Sequence, residues 1–439
     1  MSNRAWVERS LAAVWHPCTQ MKQHERFPLV PIARAKGAWL EDFEGRRYLD
    51  GVSSWWVNLF GHAHPGINAA IAGQLDSLEH AMLAGFTHRP AVELAERLSA
   101  VAPGHLGHAF FASDGASATE IALKMAFHYW VNRGRRGKDT FVALEGGYHG
   151  ETVGALGVTD VALFRDAYAP LLRRGLAAPF PARHANDHHY AGIHGAEAAA
   201  AALEALLAEQ HERIAALIVE PLVQGASGMR MYHPEFLRRA RASCTRHDVL
   251  LVADEIMTGF GRTGTLFACE QAQVVPDLLC LSKGITGGYL PLSCVLSSNA
   301  VYDAFYDDDL ARGFLHSHSY TGNPLACSAA LAVLELFERE NVLASNEQRA
   351  ARFVQSAAPL AHHPKVRDFR HLGMIWAFEV AGAGPDLAPQ AFELALSRGV
   401  LLRPIGDTVY FMPPYVVNDD EFRLLVDTGI AIAEKFGSA

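Results

Sequence analysis

Apolar and polar positions along this chain fall into two textures. From Pro65 onward, stretches with apolar residues three and four apart alternate with short continuous apolar runs. That alternation predicts an α/β domain with a mostly parallel sheet. Helical periodicity covers 67–78, 91–101 and 196–209, and a further helix opens on Ser113-Asp114-Gly115-Ala116-Ser117, with Ala118, Ala122 and Ala126 recurring beside Ile121, Met125 and Tyr129. Strands are expected at 108–111, 140–144, 214–219, 250–253, 278–281 and 292–296, with 234–247 as a crossover helix. Two runs, Ile214-Ala215-Ala216-Leu217-Ile218-Val219-Glu220 and Leu250-Leu251-Val252-Ala253-Asp254-Glu255, end in carboxylates and read as strands buried on both faces. After Pro324 helices to about 341 and over 344–360 precede strands near 365–370, 374–380 and 409–412 and helices around Ala391 and Glu421, a separate α+β pattern.

The start of the chain reads as a helix over 3–14, then an irregular Trp15-His16-Pro17-Cys18-Thr19-Gln20-Met21, because Pro17 lacks a donor and biases His16 away from helix. A hairpin is expected from 38–42 to 47–50 around Glu44-Gly45. The adjacent Trp55 and Trp56 point apart in any regular element, so either both are packed or one is core and the other faces a ligand or a partner subunit.

Composition narrows the function. With 439 residues, 50% hydrophobic and 19% charged, the chain has the make-up of a globular protein with room for two or three domains. Its 38 basic and 47 acidic residues give a net charge of -9, and no Lys/Arg run forms a phosphate-tracking stripe, which argues against nucleic acid and anionic membrane as partners. The six cysteines lack C-x-x-C spacing and suit a reducing cytoplasm. The N-terminal residues lack an apolar signal region, and no window reaches a membrane span, so neither export nor membrane insertion is expected.

The chemistry centres on Leu279-Cys280-Leu281-Ser282-Lys283-Gly284, an apolar run that delivers one lysine into glycine-rich backbone. Lys283 is either a surface cap of the strand end or a buried amine able to form a Schiff base with a carbonyl. Ligands of open α/β sheets sit beyond the carboxyl ends of the strands. Asp254 and Lys283 would emerge there together, as a site or as a structural ion pair. The Asp114-Gly115-Ala116-Ser117 helix start offers N–H groups to a phosphate, though it also suits a plain N-cap. Tyr148 in Gly147-Tyr148-His149-Gly150 could stack on a planar ligand or simply pack. Ser317-His318-Ser319-Tyr320-Thr321-Gly322-Asn323-Pro324 adds hydroxyls at another helix start. Gly259-Phe260-Gly261-Arg262-Thr263-Gly264 matches the dinucleotide fingerprint, but five residues separate it from the strand end and no long helix follows, so nicotinamide or flavin binding is not expected. The pairs His62/His64, His188/His189 and His316/His318 lack helical i, i+4 spacing and a carboxylate partner, so no metal is expected.

Together these residues resemble the class-III aminotransferases, which depend on pyridoxal 5′-phosphate (PLP). The likeness runs from about Trp15 to the C-terminus. It is carried by Leu250-Leu251-Val252-Ala253-Asp254-Glu255-Ile256-Met257-Thr258-Gly259-Phe260-Gly261-Arg262-Thr263-Gly264, Pro276-Asp277 and Ser282-Lys283-Gly284, which makes the dinucleotide match a by-product. A narrower likeness to one branch rests on Trp15-His16-Pro17, Ser53-Ser54-Trp55-Trp56, Leu402-Arg403-Pro404 and Tyr410-Phe411-Met412-Pro413-Pro414-Tyr415.

The resemblance implies fold type I of the PLP-dependent transferases, with a mostly parallel seven-stranded sheet in the large domain and a smaller α+β domain built from both termini. The segments would be 1–60, 61–330 and 331–439. It implies a cytoplasmic homodimer with its active site at the interface, acting on small molecules. Lys283 would hold the cofactor and then move a proton between substrate and cofactor. Asp254 would pair with the pyridine nitrogen, making the ring an electron sink. Tyr148 would stack on the ring, while Gly115, Ala116 and, from the partner subunit, Ser319 would hold the phosphate. Trp55, Tyr410 and Ser317 would contact substrate, Arg403 would take an acceptor carboxylate, and Arg262 would lie near the donor and acceptor site. Two positions depart from the family: Cys18 stands where tyrosine is usual, and Glu151 where aspartate is. Other outcomes consistent with the motifs are a class-III enzyme for an ω-amino acid or diamine, a PLP-dependent aminomutase, and a PLP-binding regulator, although no helix-turn-helix is appended.

Overall fold

The computed structural model describes residues 1–27, 29–104, 106–182 and 192–438. It divides into two compact units, one formed by Met1–Pro65 with Gln348–Ala439 and the other by Gly66–Glu347. His188 and His189 lie outside the described residues.

The second unit carries strand β1 (His108–Ala112), helix α1 (Gly115–Asn132), β2 (Thr140–Leu144), β3 (Leu176–Ala178), β4 (Ile214–Val219), helix α2 (Pro234–Arg246), β5 (Leu250–Asp254), β6 (Leu278–Leu281) and β7 (Ser293–Ser297). These strands form one sheet in the order β1-β7-β6-β5-β4-β2-β3. β7 runs antiparallel to β6 and β1, and the other paired strands are parallel. The reason lies in chain length, since the 282–292 connection is shorter than the dozen or more residues of a parallel crossover. Every residue of β4, β5 and β6 is buried, as continuous apolar runs covered on both faces require. β3, only three residues long, is too short for its apolar Leu176-Ala177-Ala178 to mark it as a strand in the sequence.

Helix α1 lies on this sheet through a row of small side chains. Ala118, Ala122 and Ala126 are fully buried in one cluster with Ile121, Ala216, Ile218, Val252, Cys280 and Val295. The Trp130 indole donates to Ala215 O at 2.8 Å and the Cys280 thiol to Ala118 O at 3.7 Å, so the helix is fixed to β4 and β6. At the opposite end of the strands from Asp254, the fully buried Lys138 donates its ammonium protons to His211 O (2.9 Å), Ile214 O (3.1 Å) and Asp248 O (2.5 Å). That ammonium also sits 4.4 Å from the Trp130 ring centroid.

Beyond β5, Glu255 closes the 255–269 loop on itself. Its carboxylate accepts from the Thr258 hydroxyl (2.8 Å), Ala268 N (2.9 Å) and Cys269 N (2.8 Å). A Cβ at Gly259 would lie 2.8 Å from Glu255 O, and Phe260 and Gly261 have φ of 58° and 87°. The glycines that mimic a dinucleotide fingerprint are therefore required by this tight loop.

The first unit contains a four-stranded sheet, in which Ile32–Lys36, Trp39–Asp42 and Arg47–Asp50 run in order and Val400–Leu401 pairs in parallel with the last. It also contains the antiparallel sheet of Val366–Leu372, Ile375–Val380 and Thr408–Phe411. Phe422, on the helix Asp419–Phe436, stacks on Phe353 at 3.9 Å and lies 4.9 Å from the Trp376 ring, the aromatic centre of this unit. Among the described residues no helix is long and apolar enough to cross a membrane.

Two outcomes are expected. Replacing Lys138 by Met removes the donor from three carbonyls, one of them buried, and should lower the unfolding free energy by about 3 kcal/mol, read by denaturant titration. An unchanged value would show that the three bonds add nothing net. Burial holds the Glu255 carboxyl up at about 7 against an ordinary 4.5. Between those values the folded state binds a proton that the unfolded state does not, so this group makes stability fall as pH rises through that window. Glu255→Gln should therefore lose less stability than the wild type between about pH 5 and about pH 7.5, and equal losses would refute the assignment.

Candidate active site

Four strand ends of the second unit open on one rim. β5 ends in Asp254, β4 is followed by Glu220, β2 runs into the 145–151 loop, and β6 delivers Lys283. The parallel register pairs Asp254 with Cys280, three residues before Lys283. Lys283 has φ +44°, a left-handed conformation strained for a residue with a Cβ. The turn that holds it is fixed on both sides, because the Ser282 hydroxyl donates to Leu292 O (2.8 Å) and the Thr286 hydroxyl to Leu290 O (2.7 Å).

Close approaches at two glycines bring the pieces together. A Cβ on Gly115 would sit 3.0 Å from Ile256 Cγ2, so the start of α1 lies against the residue two beyond Asp254. A Cβ on Gly150, whose φ is +120°, would sit 2.6 Å from Ala116 Cβ, so the 145–151 loop rests on the same helix start. The Asp114 carboxylate caps the helix by accepting from Ser117 N (2.9 Å), which leaves the Gly115 and Ala116 N–H groups as first-turn donors at the positive end of an 18-residue helix.

Asp254, 4% exposed, accepts from Ile256 N at 3.1 Å and from His149 Nδ1 at 2.7 Å. Lys283 is pushed below the ordinary lysine value because burial disfavours its charge, with the Asp254 and Glu220 carboxylates acting against that fall. Glu220 accepts from Tyr148 N and Gly225 N, each at 3.0 Å, and burial raises it to about 7. Lys283 is half-buried, with its amine lowered by burial in an acidic surround, a state suited to nucleophilic chemistry.

The other expected residues fall into three places. Tyr148, half-buried, donates its hydroxyl to Glu151 at 2.9 Å and meets Phe164 edge-on at 5.3 Å. The longer Glu151 side chain therefore holds the Tyr148 ring. Arg262 is 1% exposed within the 255–269 loop. Ser317 and Ser319 are exposed in a segment anchored by His316, which pairs with Lys124 Nζ at 2.8 Å and with His318 at 3.3 Å. Lys124 lies about 13 Å along α1 from Gly115.

Trp55, Arg403, Tyr410 and Cys18 belong to the first unit. Ser53, Ser54, Trp55 and Trp56 have φ of 51°, 46°, 72° and 72°, a left-handed turn in place of a regular element. Asp50 secures it by accepting from Ser54 N and the Ser54 hydroxyl, both at 2.8 Å, and from His62 Nε2 at 3.0 Å. Trp56 is buried and donates to the Tyr410 oxygen at 3.0 Å, whereas Trp55 is 42% exposed. The Arg403 guanidinium lies 4.5 Å from the Trp55 ring centroid and donates to Cys18 O at 3.1 Å. Cys18 contributes its carbonyl there, a contact that any residue type could supply.

His149 and Glu220 were not among the residues singled out for chemistry. Both were visible, Glu220 as a carboxylate ending an apolar run in the same way as Asp254, and His149 beside Tyr148.

Residues 20–431 match the model of the class-III aminotransferase family. The chain is 45% identical to an adenosylmethionine-8-amino-7-oxononanoate aminotransferase of Helicobacter pylori over 95% of this chain and 94% of that protein. It is 41% identical to one of Anoxybacillus flavithermus over 96% and 94%. The crystal structure of the enzyme of that name from Methanocaldococcus jannaschii superposes with a TM-score of 0.92 at 34% identity, covering 99% of this chain and 100% of that one. A PLP-bound amine transaminase from an uncultivated Pseudomonas species gives 0.90 at 32% identity, covering 97% and 99%. A lysine on a sheet rim beside a buried carboxylate, in a chain similar to these proteins along nearly its whole length, leads to one conclusion: this chain belongs to the class-III aminotransferases and works through PLP.

Proposed function

We propose that the chain moves an amino group from S-adenosylmethionine to 8-amino-7-oxononanoate, giving 7,8-diaminononanoate for biotin biosynthesis. The observation that carries this reading is the similarity, over at least 94% of the chain, to relatives at 34–45% identity that bear the name of that reaction.

The second unit's rim fits the cofactor by the chemistry of its donors. An amine suits an aldehyde, a buried carboxylate suits a pyridine nitrogen, and the Gly115 and Ala116 N–H groups suit a phosphate ester. Bound PLP supplies an electron sink for the carbon that loses its proton. Lys283 would hold the cofactor and, with its pKa lowered by burial, would take and return that proton. Asp254 would face the ring nitrogen, and Tyr148, steadied by Glu151, would lie over the ring. Arg403 binds the acceptor carboxylate, and Trp55, Tyr410, Ser317 and Arg262 act in substrate recognition. Arg403 resting on Trp55 and on the Cys18 carbonyl supports its role, because both are contacts that a carboxylate can replace.

A cytoplasmic homodimer completes the reading. Ser319 is exposed, and its segment is anchored about 13 Å along α1 from Gly115, so it suits the phosphate of a partner subunit better than its own. Met82, Phe86, Tyr306, Leu310, Leu315 and Tyr320 are exposed apolar side chains of the same unit, of the kind a subunit interface buries.

The PLP-loaded protein should change its visible spectrum when S-adenosylmethionine alone is added, since donation needs no acceptor. A response to lysine or an ω-amino acid instead would assign a different class-III reaction. Lys283→Ala should abolish turnover by at least about 10³-fold while the folded protein still takes up PLP non-covalently; retained turnover would refute its role. Arg403→Ala should raise KM for 8-amino-7-oxononanoate about tenfold more than KM for the donor, and equal changes would remove it from acceptor binding.

A further inference from the structure

The segment that carries Ser317 and Ser319 is tied down at both ends. On its C-terminal side His318 N donates to Thr321 Oγ1 (3.1 Å) and the Thr321 hydroxyl donates to His318 O (2.7 Å). Asn323 then caps the helix Pro324–Arg339 by accepting from Leu325 N and Ala326 N, each at 3.1 Å. On its N-terminal side the tie is a chain of side chains. Lys124 Nζ of α1 lies 2.8 Å from His316 Nδ1, and His316 Nε2 lies 3.3 Å from His318 Nε2. The His316 ring rests against Phe110 and Phe314, with centroids 6.1 Å and 5.7 Å away.

This chain has a direction. An ammonium only donates, so His316 Nδ1 accepts and carries no proton. The other nitrogen of a neutral imidazole is then the donor, so His316 Nε2–H is directed to His318 Nε2, which accepts in turn. Lys124 thereby sets the tautomer of both rings and keeps both neutral.

We propose that Lys124, His316 and His318 are positioning residues for cofactor binding: they set the segment from which Ser319 reaches the cofactor phosphate of the partner subunit, and they hold it only while His316 is uncharged. The inference rests on the proposed role of Ser319. Ser317 and Ser319 flank His318, so any movement of His318 carries both hydroxyls with it. A proton on His316 Nδ1 would take the acceptor from Lys124 and set two cations side by side, which breaks the chain. Helix α1 then serves two sites, offering the Gly115 and Ala116 N–H groups to one phosphate and bracing through Lys124 the segment that serves the other.

Among the described residues, the charged and titratable groups facing His316 are Lys124 and Glu120 from α1 and His318 from its own segment, while β1 presents the Phe110 ring. Burial first, then Lys124 and His318, hold His316 below the ordinary 6.5, with Glu120 acting the other way. The chain is therefore intact at neutral pH and opens as the pH falls below that value.

The test reads the Kd for PLP of the loaded protein at about pH 8 and at about pH 5.5, on either side of the imidazole range. At the higher pH Lys124→Met, which keeps the stem and removes the donor, should weaken PLP about tenfold, whereas Lys124→Arg should lie closer to the wild type. His316→Asn keeps an acceptor for Lys124 yet takes up no proton. Its Kd should therefore rise less on acidification than that of the wild type, and equal rises would overturn the proposal. Ser319→Ala serves as the reference. Weaker PLP binding in Ser319→Ala with none in Lys124→Met would overturn the inference and leave the reading of Ser319 intact. No change in Ser319→Ala would remove Ser319 from the phosphate and take this inference with it. A readout that needs no variant is the ¹⁵N signature of His316 in the wild-type holoenzyme at neutral pH. It should report a neutral ring protonated at Nε2, and a cationic or Nδ1-protonated ring would refute the chain.

Discussion

The rim of the seven-stranded sheet is organised by the need to keep charges where water does not reach. Asp254 and Glu220 sit at the ends of strands buried on both faces, and Lys283 follows a third. A charge in such a place is costly unless hydrogen bonds and opposite charge compensate it. Asp254 has Ile256 N and His149, and Glu220 has Tyr148 N and Gly225 N. For Lys283 burial outweighs the two carboxylates, and its pKa is lowered. A lysine so placed is suited to the role proposed for it.

That compensation depends on backbone geometry. The donors to Asp254 and Glu220 come mostly from loops that must approach α1 and the strand ends closely, and the glycines at 115 and 150 permit it. Strain is concentrated in the same neighbourhood, with Lys283 itself at a positive φ. Positions of this kind persist only where the surrounding packing over-determines them, as the alanine-lined face of α1 against β4, β5 and β6 does here.

The first unit applies the same logic around Arg403. Four successive left-handed residues from Ser53 to Trp56 are held by Asp50, and the turn sends one tryptophan inward to Tyr410 and leaves the other outward under Arg403. A guanidinium kept on an aromatic face and a carbonyl is ordered yet not neutralised, which suits a group meant to meet a carboxylate. Cys18 takes part through its backbone, so the departure from tyrosine there leaves this contact intact.

Much of this was legible beforehand. The apolar runs that end at Glu220 and Asp254, the alanine row of α1 and the lysine after Leu281 are local patterns, and burial on both faces demands such sequences wherever they lie. The resemblance points to Lys283, Asp254, Tyr148 and Gly115, each tied to a short stretch of chain. Other features were decided by tertiary structure alone. The choice of Trp56 over Trp55 for the core and the bond from His149 to Asp254 each depend on partners far away in sequence. His149 and Asp254 are 105 positions apart, and Trp56 and Tyr410 are 354 apart. Residue type and periodicity say which groups must be buried or satisfied; only the folded chain says which distant atom satisfies them.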